Sequence, residues 1–333
     1  MRLKLQKLIL KASLFGAFIP ALLSNSAVAT THDNYPNRPI SMVVGYAPGG
    51  ATDMLARLIA KALTDELEQP VIVENKAGAN SNIAAEHVVR SKKDGYTIFV
   101  GIIGNTINQA LYSNPHRDFI KDFAPIGMMA SISNVLVVNP KLPVNSVQDY
   151  IDYAKRNPGQ LTCASSGIGS SIHMSCELFM IQTGTNLLHV PYRGSGPAVT
   201  DLLGGQVDSM FDNVPSSLPH IQAGNLRPIA TTTKARVSTL PNTPTFTEEG
   251  VKGFVVEGWF GLYAPAGTPG PIISKLNHAL NKALVKADII STYDKNNFTV
   301  PEQPNSPDSF KQYTQSEIDK WAEVVKKANL AAN

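Results

Sequence analysis

The sequence is poor in cysteine, in charge and in aromatic residues. Only 2 of its 333 residues are Cys, and neither a CxxC pair nor a finger-type His spacing accompanies them, so no common zinc site is predicted. Charged residues make up 17% and aromatic residues 7%. A hydrophobic share of 43%, with 24 Gly and 23 Pro, still supports a globular protein of about two domains rather than disorder or coiled coil.

The basic residues are concentrated at the start of the chain. Arg2, Lys4, Lys7 and Lys11 all precede position 30, in a segment that we expect to be removed. The remaining chain keeps 25 of the 29 Lys and Arg residues against 26 Asp and Glu, a net charge of −1. Such a balance gives no basic stripe to neutralise phosphates, so we expect no nucleic-acid partner.

Long apolar runs are missing after the first segment of the chain. That first segment is typical of a secretory signal peptide. A short positive stretch precedes the mostly apolar residues 8–23, and Ala27-Val28-Ala29 is a small-x-small cleavage site. A membrane anchor would need about 20 uninterrupted apolar residues, and Lys11 shortens the run to about 12. We therefore expect cleavage after Ala29 and a soluble protein outside the cytoplasm.

The two cysteines, Cys163 and Cys176, lie 13 residues apart in a predicted strand and the following helix. In an oxidising compartment two such thiols often pair, so a disulfide is sterically possible. Two buried reduced thiols remain an equal alternative.

One pattern of elements occurs twice. Residues 40–44, 71–73 and 97–100 are predicted strands; small-residue loops follow at 45–50, 75–80 and 101–106, and the first two of these loops lead into helices. The same order returns with strands at 161–164, 187–190 and 207–211 and loops at 165–171, 192–196 and 212–215. Two such units predict two α/β lobes, each with a mostly parallel sheet whose loops collect at one edge, where ligands bind.

The segments between and after the units predict how the lobes are joined. Residues 126–139 and 254–264 are long apolar stretches that can cross between lobes as a two-strand hinge. Helices are predicted at 272–284 and 307–330, packed back on the first lobe. The expected division is a signal peptide at 1–29, a first lobe at 30–131 plus 253–333, and a second lobe at 132–252.

The loops at 45–52 and 165–171 both lead from a strand into a helix start. Glycine lets the backbone approach a ligand, and free N–H groups with the helix dipole favour an anion. The matching positions in the repeat favour binding over simple tight turns. Two facing helix starts could hold a carboxylate without Lys or Arg.

Motifs for other chemistry are missing. The chain has no Gly-x4-Gly-Lys-Ser/Thr run, no complete dinucleotide fingerprint and no Gly-x-Ser-x-Gly elbow. His173 is better interpreted as a loop cap than as a catalytic base, and Asp53 as a helix cap. Asp212 could equally contact ligand or make a turn, and Arg193 could equally contact ligand or lie in solvent.

Several motifs carry a resemblance to a known family. They read YAPGG at 46–50, VPYRG at 190–194, DLLGGQVD at 201–208, MFDN at 210–213 and WFGLYAPAGTP at 259–269. The sequence resembles the Bug family of extracytoplasmic solute receptors, the TctC-type binding components of tripartite tricarboxylate transporters. The resemblance covers residue 35 to the end. It implies an α/β, type II periplasmic binding fold with a ligand cleft between two lobes.

The resemblance also implies a ligand site without catalytic residues, metal or cofactor. The residues that it assigns to ligand binding are Tyr46, Ala47, Pro48, Gly49, Gly50, Ala51 and Asp53 in the first loop, Ser165, Ser166, Gly167, Gly169, Ser170, Ser171 and His173 in the second-lobe loop, and Ala79, Asn80, Asn82, Gly104, Asn105, Tyr192 and Asp212 elsewhere. Many members have Gly-Gly-Asn where this chain has Ala79-Asn80-Ser81-Asn82, which places two further polar side chains toward the cleft.

The function expected from these observations is capture of a small carboxylate for a membrane permease. The ligand classes that the resemblance implies are di- and tricarboxylates, acidic amino acids and aromatic acids. A secreted enzyme that uses the same cleft is the alternative, although no nucleophile–base pair or metal set supports it. The effector domain of a transcription regulator shares the fold, but the export signal argues against it.

Overall fold

A computed structural model describes residues 34–111 and 118–327 of the chain. The expected signal peptide lies outside these residues. Within the two ranges, no helix combines the length and the apolar composition that crossing a membrane requires.

The first repeat folds as three parallel strands, each followed by a helix. Its elements are β1 (Ile40–Val44), α1 (Ala51–Leu67), β2 (Val71–Asn75), α2 (Asn82–Val89), β3 (Thr97–Ile102) and α3 (Ile103–Leu111). β1 pairs in parallel with β2 on one side and with β3 on the other. Met42 and Val44 enter one hydrophobic core and Val43 enters the core on the opposite face, as expected for a strand buried on both sides.

The second repeat follows a connecting segment made of α4 (Phe119–Asp122) and the long strand β4 (Phe123–Val138). Its elements are α5 (Val147–Arg156), β5 (Thr162–Ser165), α6 (Ser171–Thr183), β6 (Leu188–Pro191), α7 (Ser195–Gly204), β7 (Ser209–Asn213), α8 (Val214–Gln222) and β8 (Arg227–Thr231). β5 pairs in parallel with β6 and β7. The two repeats therefore have the same parallel three-strand arrangement.

The chain then returns to the first repeat. The closing elements are β9 (Glu257–Pro265), α9 (Gly270–Leu284), α10 (Ala287–Asn296), β10 (Phe298–Thr299) and α11 (Pro307–Lys327). β9 pairs antiparallel with β3, and α9 packs its Leu276 and Leu280 into the same core as β1. The first lobe is thus built on β1, β2, β3 and β9, and the second lobe on β5, β6, β7 and β8.

Two crossing segments join the lobes. β4 pairs with β9 from Phe123 to Ser133 and with β7 from Asn134 to Val138, so one strand belongs to both lobes. The return crossing comes before β9, where the Val256 N–H donates to the Thr232 carbonyl at 3.0 Å. Two crossings are present, as predicted: β4 crosses as a strand, whereas the return crossing is the segment before β9, and β9 itself lies within the first lobe.

The prediction of a loop is wrong for two segments, residues 101–106 and residues 212–215. Residues 101–106 form the end of β3 and the first turn of α3, and residues 212–215 likewise join β7 directly to α8. The Asn105 side chain accepts a hydrogen bond from the Ile102 N–H at 2.9 Å, and Pro215 stands in the first turn of α8. Polar residues and Pro often indicate loops, but in these two segments they begin helices. The helices α5 and α10 were also not predicted.

Cys163 and Cys176 are buried, free thiols that lie within hydrogen-bonding reach of each other. Burial, followed by the neighbouring thiol, raises the pKa of Cys176 well above its usual value. The two thiols are unbonded here, and their pairing in the exported protein stays a prediction.

Candidate functional site

The two lobes meet along a seam between the first loop and the loop before α7. The Ala47 N–H donates to the Arg193 carbonyl at 2.9 Å. A Cβ at Gly196 would lie 2.3 Å from the Pro48 carbonyl oxygen, and one at Gly50 would lie 3.2 Å from the Ser195 Cβ. Glycine at these positions lets the lobes meet backbone to backbone, so the cleft is in a closed arrangement.

A small inner cavity of about 10 Å³ lies at the floor of the cleft, between the starts of α1 and α6. Its lining consists of Tyr46, Thr52, Ile102, Ile103, Ile132, Ser166, Ser170, Ser171, Asn213, Gly258, Trp259 and Phe260. These residues supply hydroxyl, phenol and amide groups above an apolar floor, and no acidic side chain is among them.

Both helix starts at this cavity offer backbone donors. Gly50 precedes α1 with no side chain capping the helix, so the N–H groups of Ala51 and Thr52 have no intrahelical acceptor. At α6 the Ser170 hydroxyl accepts from the His173 N–H, which leaves the N–H groups of Ser171 and Ile172 as the corresponding donors. Helix dipoles and open donors from both lobes make this place favourable for an anion.

Asp53 supports the first of these helix starts. Its carboxylate accepts from the Gly49 N–H at 3.2 Å, from the Arg57 guanidinium at 3.0 Å and from the Asn75 amide at 3.0 Å. Burial alone would raise the pKa of Asp53, but hydrogen bonds from Arg57 and Asn75 outweigh it, and the net shift is downward. Asp53 therefore stays charged and holds the loop before α1 through Gly49, while the first N–H groups of the helix remain uncapped.

A pair of histidines holds the second-lobe loop. The Gly169 N–H donates to His173 Nδ1 at 3.1 Å, and the other ring nitrogen of His173 lies 3.2 Å from Glu177. The His189 ring lies 4.1 Å from that of His173, and its Nε2 lies 2.6 Å from the Ser165 hydroxyl. Burial and then the neighbouring His173 lower the pKa of His189 to about 4, so His189 is neutral at neutral pH.

The N–H groups of the two loop glycines have acceptors within the second lobe. The Gly167 N–H donates to the Ser165 hydroxyl at 3.2 Å, and that of Gly169 is taken by His173. Both N–H groups are satisfied inside the second lobe. The backbone donors left for a ligand are therefore those of the α6 start rather than those of the glycines.

An outer cavity of about 170 Å³ opens above the inner one. Its lining consists of Tyr46, Gly78, Ala79, Asn80, Ser166, Gly167, Ile168, Pro191, Tyr192 and Arg193. Tyr46 and Ser166 border both cavities. Burial raises the pKa of Tyr46, so its hydroxyl stays protonated and donates to Asn80 Oδ1 at 2.6 Å. Arg193 is exposed and is the charged residue of this lining.

The turn before α2 has an unusual backbone. Ala79, Asn80 and Ser81 have φ values of 47°, 46° and 72°, three left-handed residues in a row without a glycine. Such a conformation costs roughly 1–2 kcal/mol for each residue other than Gly, although Asn tolerates it better than most. Strain of this kind is concentrated at functional sites.

The chain is similar to proteins of a known family. The profile of the tripartite tricarboxylate transporter family receptor, TctC, matches residues 55–330. Protein BugT of Bordetella pertussis is 37% identical over 316 residues, which cover 94% of this chain and 96% of BugT. The chain belongs to this receptor family. It is a solute-binding receptor of the Bug type.

Solved structures share the receptor's two-lobe fold. The periplasmic binding protein BugD is 35% identical with a TM-score of 0.87, over 90% of this chain and 100% of BugD. R. palustris Rpa4515 with adipate is 37% identical with a TM-score of 0.86, over 89% and 99%. MatC (Rpa3494) from Rhodopseudomonas palustris with bound malate is 33% identical with a TM-score of 0.84, over 87% and 100%. BugD is a periplasmic binding protein, and the other two structures hold the carboxylates adipate and malate.

The receptor brings some of the expected site residues together at the two cavities. Those on a cavity lining are Tyr46, Ala79, Asn80, Ser166, Gly167, Ser170, Ser171 and Tyr192. Ala47, Pro48, Gly49 and Gly50 form the seam or its immediate support. Ala51, Asp53, Asn82, Gly104, Asn105, Ser165, Gly169, His173 and Asp212 lie outside both linings.

Asp212, one of the residues outside the linings, is fully buried. Its carboxylate accepts from the hydroxyls of Ser216 and Ser217 at the start of α8. Burial raises the pKa of Asp212, and those hydrogen bonds oppose the rise only in part. It braces the junction of β7 and α8 behind the inner cavity.

Several lining residues were not expected. Ile132 of β4 and Gly258, Trp259 and Phe260 of β9 form the cavity floor, and Asn108 of α3 holds Asn80 from behind. The WF pair at 259–260 was a family motif, so it carried a signal that was used only for recognition. Asn108 had no signal, because its helix was not predicted.

Proposed function

We propose that this receptor binds a small carboxylate between its lobes and delivers it to the membrane permease of a tripartite tricarboxylate-type transporter. The observation that carries the proposal is the inner cavity, where open helix starts from both lobes meet hydroxyl groups and the lining contains no acidic side chain. A carboxylate in that place would bridge the lobes. Relatives of the same fold hold adipate and malate, which supports this ligand class.

The proposal extends to the organisation of the chain. We assign residues 1–29 to a signal peptide cleaved after Ala29, residues 30–131 plus 253–333 to the first lobe, and residues 132–252 to the second. The exported protein would work in the periplasm as a monomer. N-terminal sequencing of protein recovered from the periplasm tests the cleavage site, and light scattering tests the monomer.

Thermal unfolding against a ligand panel tests the binding function. The panel contains succinate, malate, adipate, citrate, glutamate and benzoate, with glucose and the diamine cadaverine as controls that carry no carboxylate. A ligand at 100 times its Kd should stabilise the protein by about 2.7 kcal/mol. Thermal shifts from sugars or cations, with none from any carboxylate, would refute the proposal.

A pair of variants links that result to the inner cavity. Thr52→Val removes a lining hydroxyl with little change in shape, and we expect it to weaken carboxylate binding. Thr292→Val removes a hydroxyl of the same type that bonds within α10 and lies on neither cavity lining, so this variant should bind as the wild type does. Formation of a product from any panel member, followed by NMR, would favour the secreted enzyme instead.

A further inference from the structure

The side chain of Asn80 lies between the two lobes. It is 5% exposed, accepts from the Tyr46 hydroxyl at 2.6 Å and donates to Asn108 Oδ1 at 3.1 Å. Across the cleft, a Cβ at Gly169 would lie 3.0 Å from the Asn80 amide nitrogen, and one at Gly167 would lie 3.7 Å from its amide oxygen. The second lobe therefore closes directly on this amide.

Several contacts keep the amide of Asn80 in place. The Asn108 amide donates to Asn82 Oδ1 at 3.0 Å and to the Asn80 carbonyl at 3.4 Å, so side chain and backbone are tied to the same partner. A Cβ at Gly104 would lie 2.7 Å from the Asn80 amide nitrogen, which leaves no space on that side. These contacts hold the Asn80 amide in one position.

The Asn80 amide lies where a bound ligand would extend from the inner cavity. Tyr46 borders the inner and the outer cavity, while Asn80 borders the outer one and is bonded to Tyr46. A molecule with one carboxylate at the helix starts would extend past Tyr46 toward Asn80. Methylene groups that reached this amide would separate it from Tyr46 and Asn108 and leave buried polar groups unpaired, which is costly.

We propose that Asn80 sets the maximum length of the ligand and makes the receptor selective for short dicarboxylates over longer ones. This inference rests on the proposed carboxylate-binding function. Removal of the side chain would join space beside Gly104, Gly167 and Gly169 to the outer cavity. Longer acids would then gain room that wild-type protein denies them.

The test compares a series of diacids on matched variants. Calorimetry measures Kd for succinate, glutarate, adipate and pimelate with the wild type, with Asn80→Gly and with Asn80→Ala. Glycine suits the left-handed backbone, and alanine removes the amide without adding the flexibility of glycine. Asn297→Gly is the control, because Asn297 is also left-handed (φ 58°) but ends α10.

The expected result is a change in the ratio of affinities. Wild type and Asn297→Gly should bind succinate more tightly than adipate or pimelate. Both Asn80 variants should shift this ratio toward the longer acids by up to about four-fold per added methylene, the factor equivalent to ~0.8 kcal/mol per buried CH₂. Equal factors for all four acids, or no change, would overturn the inference while leaving the proposed function intact. If the wild type binds none of the diacids or other carboxylates, both fail.

Discussion

Replacement of Gly196 by alanine tests whether ligand binding depends on closure at the seam. The added Cβ would lie 2.3 Å from the Pro48 carbonyl oxygen, and the neighbouring atoms are backbone of the first lobe. Non-bonded heavy atoms settle at about 3.5–4.0 Å, so the lobes must separate here by about 1 Å or more. No side-chain rotation relieves the contact.

The magnitude follows from what that separation breaks. The hydrogen bond from the Ala47 N–H to the Arg193 carbonyl, at 2.9 Å, would lengthen beyond hydrogen-bonding distance. Its loss costs about 0.5–1.5 kcal/mol, and residual crowding adds to the cost. Because apparent affinity scales with the population of the competent closed state, Kd for a bound carboxylate should rise about ten-fold.

The same substitution should leave the fold of each lobe intact. Gly196 lies in the first turn of α7 without a positive φ, and alanine favours a helix by up to ~1 kcal/mol over glycine. Ligand-free Gly196→Ala should therefore unfold at the wild-type temperature or slightly above it. Stability and affinity are expected to move in opposite directions.

Calorimetry with the best diacid, and small-angle scattering with and without it, measure the two quantities. Gly204→Ala is the matched control at the other end of α7, where a Cβ would meet only the Gln206 side chain at 3.9 Å. It should bind and close as the wild type does. Wild-type affinity and full closure in Gly196→Ala would refute the role of the seam.

Three further predictions concern stability and the thiols. The pKa of His189 falls to about 4 on folding, so its contribution to stability should be complete above pH 6.5 and be lost as pH falls toward 4; urea titrations should show a flatter profile for His189→Gln. Phe246→Ala, in a fully buried aromatic cluster of the second lobe, should lower the free energy of unfolding by about 3–5 kcal/mol in urea denaturation, and a loss under 1 kcal/mol would contradict the packing. Cys163 and Cys176 should react with a thiol reagent only after unfolding, and a mass deficit of two hydrogens would show the disulfide instead.

The repeat could be predicted because its signals are local. Alternating or continuous apolar runs bounded by glycine loops mark each strand, and both predicted helix starts at the floor of the cleft are where the structure has them. The third loop of each repeat failed for an equally local reason. Asn105 and Pro215 are as compatible with a helix start as with a loop, and only their packing distinguishes the two.

The site could be predicted at its polar edge but not at its floor. Tyr46, Ser166, Ser170 and Ser171 border the cavities and lie in loops that the glycine pattern marked. Which face of β9 carries Trp259 toward the cleft depends on its register with β3 and β4, which is set by pairing across long sequence distances. The Gly169 donor is taken by His173 of α6, and the Gly167 donor by Ser165, whose hydroxyl contacts His189 from another strand.

The composition of the seam explains how a small ligand can control the receptor. Where the loops around Pro48 and Gly196 meet, the contact is made by backbone rather than by interlocked side chains, and the Ala47–Arg193 hydrogen bond contributes about 1 kcal/mol. A change from 1% to 99% closed requires about 5.5 kcal/mol of differential binding. The seam alone falls short of this value, so most of it has to come from groups that touch both lobes at once. The carboxylate proposed between the starts of α1 and α6 would be such a group, because donors from both lobes face that cavity.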